Sequence, residues 1–344
     1  MLSQIGLIFL MFQIGQEFDF SHLRERRHRN AMLSVAAASM VVPFALGFGF
    51  GYVAAPILSP GSNAVGSALF IGTAFSITAL PILGRIMIEF GITSTSIGVI
   101  AISAAAINDV IGWVLLAVVS ALTVSQFSAN DLGQIILSIA VYIAVCCLAI
   151  RPMMKYVIRR FGKQGDALTG NVMGITIFMI FLSAMTTYKI GIFAIFGGFI
   201  LGVLVHDEPE FVKAWRTKVG SFITVFFLPI FFTYTGLRTS IGSLDTFELW
   251  GWCIALILLA TIGKYGSAYL AARANKLSST ESSIIGIMMN TRALMELVVI
   301  NIGLDLGVIS PTVFTMLVIM AIFSTVITTP VLRCQLPKLG LLRA

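Results

Sequence analysis

The sequence is poor in charged residues. Only 11% of its 344 residues are charged, whereas 58% are hydrophobic, and the mean hydropathy is +0.99. A soluble globular domain carries about 25% charged residues, so this composition excludes an ordinary soluble domain and predicts a chain that lies in lipid. The alternating pattern typical of strands in membrane β-barrels is also absent, which leaves membrane-spanning helices.

Cysteine and catalytic motifs are equally scarce. The four cysteines (Cys146, Cys147, Cys253 and Cys334) lie in or next to hydrophobic stretches without metal-ligand spacing, which predicts reduced packing residues. The sequence contains no His-Glu-x-x-His motif, no Gly-x-Ser-x-Gly motif and no paired catalytic aspartates. We therefore predict that the chain is not an enzyme, binds no cofactor and holds no metal other than a transported monovalent cation.

Apolar runs of about 18–25 residues, long enough to cross a bilayer, recur along the whole chain. They predict an all-α membrane protein of about eleven transmembrane helices. The predicted spans are residues 3–20, 31–55, 63–89, 95–122, 131–158, 170–188, 191–206, 218–237, 247–273, 281–303 and 311–333. The third and tenth spans are long enough that we expect them to be interrupted.

The lysines and arginines orient these spans. If the first helix runs from outside to inside, almost all of the 22 basic residues fall in inner loops; only Lys189 and Arg238 lie outside, and Lys264 and Arg292 lie within spans. The positive-inside rule therefore predicts a cytoplasmic C-terminus and an outer N-terminus. We expect the membrane to be a bacterial inner membrane. The same rule explains the net charge of +7 without a nucleic-acid partner.

This orientation leaves Met1 outside, with few residues before the first helix and no cleavable signal pattern. Two interpretations fit: an even number of upstream helices is missing, or the N-terminus is simply translocated.

Two halves of the sequence predict an inverted repeat. Residues 12–17 and 232–238 each carry an aromatic-rich run that closes with Gly, one residue and then a charge. Two helices later, each half contains an interrupted span, at residues 75–81 and 289–296. Because the assigned topology runs the paired spans in opposite directions, we expect two broken helices that cross near the midplane.

Proline explains the first interruption. Pro81 removes a backbone donor and crowds the carbonyl of Ile77. The freed carbonyls and the hydroxyls of Ser76 and Thr78 could then coordinate a cation, provided that the break faces a cavity. A proline-kinked helix whose own hydroxyls satisfy the carbonyls is the alternative. The tenth span has no proline, so its break is predicted from its polar cluster and the repeat.

Asp109 is the central candidate residue because ionisable side chains deep in a span are costly and usually functional. It lies in the middle of the fourth span among alanines and Gly112, small residues that allow a second helix to approach. Asn108 adds a neutral oxygen. We predict a site for a hard monovalent cation that competes with a proton; the alternative is that Asp109 only pairs with a buried base.

Two bases lie within spans. Lys264 or Arg292 could neutralise Asp109 when no cation is bound, and lysine suits a switch better because it can release its proton. Glu296 follows Arg292 by one helical turn, which predicts a local pair with a structural role. Glu17, at the inner end of the first span, is either a solvated helix end or part of a cation-attracting funnel.

These motifs resemble the membrane domain of the monovalent cation:proton antiporter superfamily, in its Kef-type and plant cation/H+ exchanger branch. The resemblance rests on Phe75-Ser-Ile-Thr-Ala-Leu-Pro81, Ser103-Ala-Ala-Ala-Ile-Asn-Asp109, Gly197-Gly-Phe-Ile-Leu-Gly202, Gly263-Lys264 and Asn290-Thr-Arg-Ala-Leu-Met-Glu-Leu297. These segments cover nearly the whole chain in family order.

The resemblance implies a sodium/proton antiporter-like fold of thirteen helices, in which a core domain moves against a dimerisation domain. It implies that Asp109 carries ion and proton in turn, helped by Asn108 and Thr78, with Lys264 as its partner. Relative to that family, the first two helices and the usual soluble regulatory domain are missing, and Ala293 replaces a glycine. A homodimer is expected if the missing helices are present.

We therefore predict a transmembrane exchanger domain over residues 1–333, with repeat 1 at about 1–122, a linker helix at 131–158 and repeat 2 at about 170–333, followed by a short tail at 334–344. The predicted function is exchange of K+ or Na+ for H+ by alternating access at Asp109. A sodium-coupled symporter of the same fold, a cation channel and an inactive fragment of an antiporter are the alternatives.

Overall fold

A computed structural model describes residues 2–16, 29–93, 95–125, 129–162 and 169–340. Within these ranges all regular structure is helical, which confirms the predicted all-α class. The helices are α1 (Leu2–Gln16), α2 (Arg29–Leu58), α3 (Ala64–Ser76), α4 (Leu80–Glu89), α5 (Ser96–Val124), α6 (Ala129–Val145), α7 (Arg151–Phe161), α8 (Gly170–Ile190), α9 (Ala194–Leu204), α10 (Pro209–Trp215), α11 (Leu228–Arg238), α12 (Phe247–Ala274), α13 (Ser279–Met289), α14 (Leu294–Asp305) and α15 (Pro311–Gln335).

In the described residues, eleven apolar segments follow one another in the predicted order. Six helical segments of the described chain are long and apolar enough to cross a bilayer, and two bent pairs meet the same criterion together. The bent pairs are Pro209–Gly220 with Ile223–Ser243, bent by 42°, and Ser279–Met289 with Leu294–Asp305, bent by 43°. The shorter apolar helices α1, α3 and α9 complete the set. The chain is therefore a multi-pass membrane protein.

The eighth span differs most from its predicted boundaries. It was expected at 218–237, with Lys213 and Arg216 in a preceding loop, but helical structure begins at Pro209 and includes both residues. Proline in the first turn suits a helix start because its missing N–H would have no partner there. Two π-helical segments, Arg216–Gly220 and Ile223–Phe227, lie between α10 and α11.

The chain forms two compact units. One consists of Met1–Phe20 and Ser120–Leu237. Within it α1 packs closely on α9. A Cβ built on Gly202 of α9 would lie 3.0 Å from the Gly15 Cα of α1 and even closer to the Phe12 carbonyl oxygen. Glycine allows this approach of two backbones.

The second unit consists of Ser21–Val119 and Arg238–Ala344. Here α2 packs along α3, and a Cβ on Gly47 would lie 2.8 Å from the Gly72 Cα. Helix α12 packs on α2, α13 and α15, and α14 packs on α3 and α15. This unit contains every described residue of the predicted ion site.

Local signals explain where the second broken pair begins. Ser278 caps α13 through a reciprocal arrangement with Glu281, in which each side chain accepts from the other residue's backbone N–H. This capping box satisfies two donors that the first turn leaves free. The following segment is the one that carries the second break.

Candidate ion-binding site

The first break lies between α3 and α4. Residues 77–79 are not helical, and the Ile77 backbone is extended at φ −77° and ψ 143°. Pro81 stands in the first turn of α4, where it can donate no hydrogen bond back towards Ile77. The proline therefore ends one helix and starts the next, as the sequence predicted, and the last carbonyls of α3 lose their intrahelical partners.

The second break lies between α13 and α14, at residues 290–293. Ala293 occupies the position where the resemblance expects glycine, and its φ of −168° is extended backbone that any residue adopts. The predicted interruption of the tenth span is therefore present without either proline or glycine.

The two breaks contact each other through direct hydrogen bonds. The Ala79 N–H donates to the Thr291 carbonyl at 3.0 Å, and the Thr78 hydroxyl donates to the Met289 carbonyl at 3.2 Å. Ser76 instead directs its hydroxyl to the Thr73 carbonyl of its own helix at 2.8 Å. Both hydroxyl oxygens keep lone pairs that can bind a cation.

Arg292 is buried and forms hydrogen bonds to the C-terminal end of α3. Its guanidinium donates to the carbonyls of Ala74 at 2.6 Å and Phe75 at 2.8 Å, and its charge lies 5.9 Å from the Phe75 ring centre. Glu296, also buried, forms an ion pair with it at 3.4 Å. This is the local i,i+4 pair that the sequence indicated.

Lys264, fully buried in α12, donates to the Ser76 carbonyl. Together with Arg292 it therefore satisfies three successive carbonyls at the C-terminal end of α3. Cations are favourable at this end of a helix because the helix dipole is negative there. The part of the chain that the structure describes contains no ion pair between Lys264 and Asp109, so that predicted pairing stays a prediction.

The Asn108-Asp109 pair lies in α5, and both side chains are buried, with exposed fractions of 0% and 2%. The Asn108 amide donates to the Ser39 hydroxyl of α2 at 2.9 Å. Neither Asn108 Oδ1 nor Asp109 Oδ1 has a hydrogen-bond partner among the described residues. Buried oxygens without a partner, on two consecutive residues, are chemically able to bind a cation or, at the carboxylate, a proton.

The pair lies next to the first break. One turn after Asn108, Gly112 leaves room for Ile77, whose Cγ1 would be 3.1 Å from a Cβ at that position. A hydrophobic cluster of buried side chains also contains Ala104 and Ala105 of α5 together with Met288 of α13. The structure thus brings the fourth span and both breaks into one buried region.

Not every candidate residue is accounted for in this region. Glu17, the predicted funnel residue, lies outside the described residues. Ser39 was missed, because a serine within an alanine-rich run gives no functional signal. The sequence indicates Asn290 only as part of a motif, although its side chain is fully buried at the second break.

The four buried charged groups of the described residues have a net charge of zero when all are ionised. Two carboxylates, Asp109 and Glu296, accompany two cations, Lys264 and Arg292. With all four ionised, the region is neutral, and either a monovalent cation or a proton on Asp109 adds the same single charge. Such a site can hold the two ligands in turn without a change in the charge of its loaded state.

The chain is similar to several known proteins. A family profile described as "Sodium/hydrogen exchanger, transmembrane" matches residues 1–334. The chain is 39% identical to the Na+/H+ antiporter NhaS4 of Synechocystis sp. over 334 residues, which are 96% of this chain and 80% of that protein. It is 35% identical to cation/H+ antiporter 17 of Arabidopsis thaliana, over 100% of this chain and 42% of that protein.

More distant similarities extend the comparison. The chain is 28% identical to K+/H+ antiporter 1 of Saccharomyces cerevisiae, over 98% of this chain and 39% of that protein. It therefore spans about two fifths of the plant and yeast relatives. The solved structure of the sodium proton antiporter MjNhaP1 from Methanocaldococcus jannaschii has the same fold, with a TM-score of 0.60 over 99% of this chain and 84% of that one, at 16% identity.

Proposed function

Because the chain belongs to the sodium/hydrogen exchanger family, a family of transporters rather than enzymes, we propose that it exchanges a monovalent cation for H+ at Asp109. The observation that carries this proposal is the buried Asp109 carboxylate, whose Oδ1 has no partner among the described residues. A carboxylate left unpaired in the membrane is costly unless it binds a ligand, and both substrates of exchange are positively charged.

One shared carboxylate couples the two fluxes. Deprotonated Asp109 binds the cation, and protonation of the same group releases it on the opposite side of the membrane. Alternating access at a single site therefore prevents either ion from moving without the other. Asn108 contributes a neutral oxygen beside the carboxylate, and the hydroxyls of Ser76 and Thr78 lie at the neighbouring break.

The cation is K+ or Na+. The names of the relatives include Na+/H+, K+/H+ and unspecified cation/H+ antiporters, and oxygen ligands accept either ion. The proposed substrate is therefore a monovalent cation, and the transport assay distinguishes K+ from Na+.

The proposed setting is a bacterial inner membrane. The positive-inside argument favours an N-terminus outside and a C-terminus in the cytoplasm. We further propose that the chain acts as a homodimer in the lipid bilayer, as the family resemblance implies when the full set of helices is present.

Proteoliposomes that contain a pH-sensitive dye test the exchange. Addition of K+ or Na+ should drive protons across the membrane with the wild-type chain and should have no effect with Asp109→Asn. Asp245→Asn, which changes an exposed carboxylate next to α12, is the matched control and should behave as wild type. Unimpaired exchange by Asp109→Asn would overturn the assignment, whereas single-channel currents would favour a channel.

A further inference from the structure

Asn290 has a buried side-chain amide at the second break. Its side chain has an exposed fraction of 0%, and neither Oδ1 nor Nδ2 has a hydrogen-bond partner among the described residues. Buried amides in folded proteins are almost always paired, because an unpaired one costs stability. The side chain therefore needs a partner that the described polypeptide does not supply.

The backbone does not explain why asparagine occupies this position. Residue 290 ends α13 with φ −81° and ψ 0°, a right-handed conformation open to any residue. Its N–H bonds to the carbonyls of Gly286 and Ile287, and these bonds do not involve the side chain. An apolar residue could adopt the same backbone geometry. The backbone therefore does not require asparagine here, and we look for the role of the side-chain amide in binding.

The neighbours of Asn290 fix it beside the first break. Met289 accepts a hydrogen bond from Thr78, and Thr291 accepts one from Ala79. Asn290 thus lies between two residues that are tied to the segment against which α5 packs. The unpartnered side-chain oxygens of this buried region therefore include those of Asn108, Asp109 and Asn290.

We propose that Asn290 is an additional ligand of the transported monovalent cation, supplying its amide oxygen from the second broken helix. This inference rests on the proposed exchange at Asp109. An amide oxygen binds a cation but takes up no proton at ordinary pH, so Asn290 sets the affinity for the cation and leaves proton binding to Asp109. It would also stand among the residues that determine the choice between K+ and Na+.

The test compares Asn290→Leu with Asn301→Leu in proteoliposomes. Asn301 is a buried asparagine in α14, but its amide donates to the Leu297 carbonyl at 2.8 Å and accepts from Arg238 at 3.0 Å. Loss of one neutral ligand should raise the half-saturating concentration of K+ or Na+ about tenfold in Asn290→Leu. Asn301→Leu should keep the wild-type value. An unchanged half-saturating concentration in Asn290→Leu overturns the proposal.

A binding measurement decides the matter if Asn290→Leu does not transport. The thermal midpoint of the purified protein in detergent is recorded with K+ or Na+ and with choline. Wild type should be stabilised by the transported cation, and Asn290→Leu should show a smaller shift at the same cation concentration, without a lower midpoint in choline. A full shift in Asn290→Leu, or a lower choline midpoint with the shift retained, assigns the residue to packing and overturns the proposal.

Failure of the exchange mechanism gives a different result. Asp109→Asn then keeps its cation-dependent proton movement, or wild type shows none, whatever the behaviour of Asn290→Leu. If wild type exchanges, Asp109→Asn does not, and Asn290→Leu has normal cation affinity, only the inference about Asn290 fails.

Discussion

The Lys264 ammonium donates a hydrogen bond to the Ser76 carbonyl, in the last turn of α3. This carbonyl has no intrahelical partner because the first break ends the helix there. A buried positive charge at this position also offsets the negative end of the helix dipole. Lys264 therefore supports the broken helix.

This contact predicts electroneutral exchange. If Lys264 stays protonated and hydrogen-bonded to the Ser76 carbonyl throughout the cycle, Asp109 alone exchanges one proton for one cation. The rate of exchange in proteoliposomes should then be the same at imposed membrane potentials of either sign. Lys264→Arg keeps the charge and a donor, and should remain electroneutral. A potential-dependent wild-type rate that becomes potential-independent in Lys264→Arg would show instead that the lysine releases a proton.

Competition at Asp109 predicts how pH acts on transport. Binding of one cation displaces one proton, so acidification should raise the half-saturating cation concentration, by up to about tenfold per pH unit where the protonated form dominates. The maximal rate at saturating cation should change much less. The measurement is a cation titration at several pH values in proteoliposomes. A half-saturating concentration that does not depend on pH would mean that cation and proton occupy separate sites.

The two breaks were predictable from the sequence for different reasons. Pro81 predicts the first directly, because it removes a donor at a fixed distance from Ile77. The second has no proline, and only the repeat and the polar cluster around Arg292 indicated it. None of these sequence signals predicts the contact between the two breaks, because that contact depends on how the segments around Thr78 and Thr291 pack in three dimensions.

The partners of the buried polar groups were less predictable. The partnership of Lys264 with Asp109 stays a prediction. The structure adds that Lys264 donates to one of the carbonyls that the broken helix exposes, a contact that the sequence did not indicate. Ser39 holds Asn108 only because α2 lies against α5, and no local pattern reports that packing. Sequence motifs identified the charged residues, whereas the acceptors freed by the breaks determined their contacts.

Arg292 and Glu296 should matter unequally for stability. Arg292→Gln leaves the Ala74 and Phe75 carbonyls short of donors and Glu296 without its buried partner, which should cost about 3–5 kcal/mol. Glu296→Gln keeps the arginine on those carbonyls and should cost less. Thermal or denaturant unfolding in detergent measures both, with the exposed Arg85→Gln as control. A larger loss for Glu296→Gln would contradict the role assigned to Arg292.

Asp207 should contribute stability that does not vary over the physiological pH range. Partial burial alone would raise the pKa of this loop carboxyl, but hydrogen bonds from Lys155 and Arg151 and their charges lower it to about 2. Because this lies below the ordinary 3.8, the contribution is complete above that value and is lost as pH falls through about 2. Asp207→Asn should therefore cost about 1 kcal/mol, given the partial exposure of the pair.

The same Asp207→Asn cost is expected at pH 5.5 and pH 8, measured as unfolding in detergent with Asp245→Asn as control. A cost that disappears at the lower pH would mean that the carboxyl is protonated there, which contradicts the lowered pKa.

Close packing of α1 on α9 makes Gly202 sensitive to a single methyl group. A Cβ on Gly202 would overlap the Phe12 carbonyl and lie 3.0 Å from the Gly15 Cα. Both obstacles are backbone, so no change of rotamer can relieve them, and Gly202→Ala should cost about 1–3 kcal/mol. Gly174→Ala in α8 is the control, because a Cβ there meets no atom within 4 Å and alanine favours the helix by up to about 1 kcal/mol. Unfolding in detergent should therefore shift in opposite directions for the two variants, and equal shifts would show that helix propensity, not the contact with α1, governs the response at Gly202.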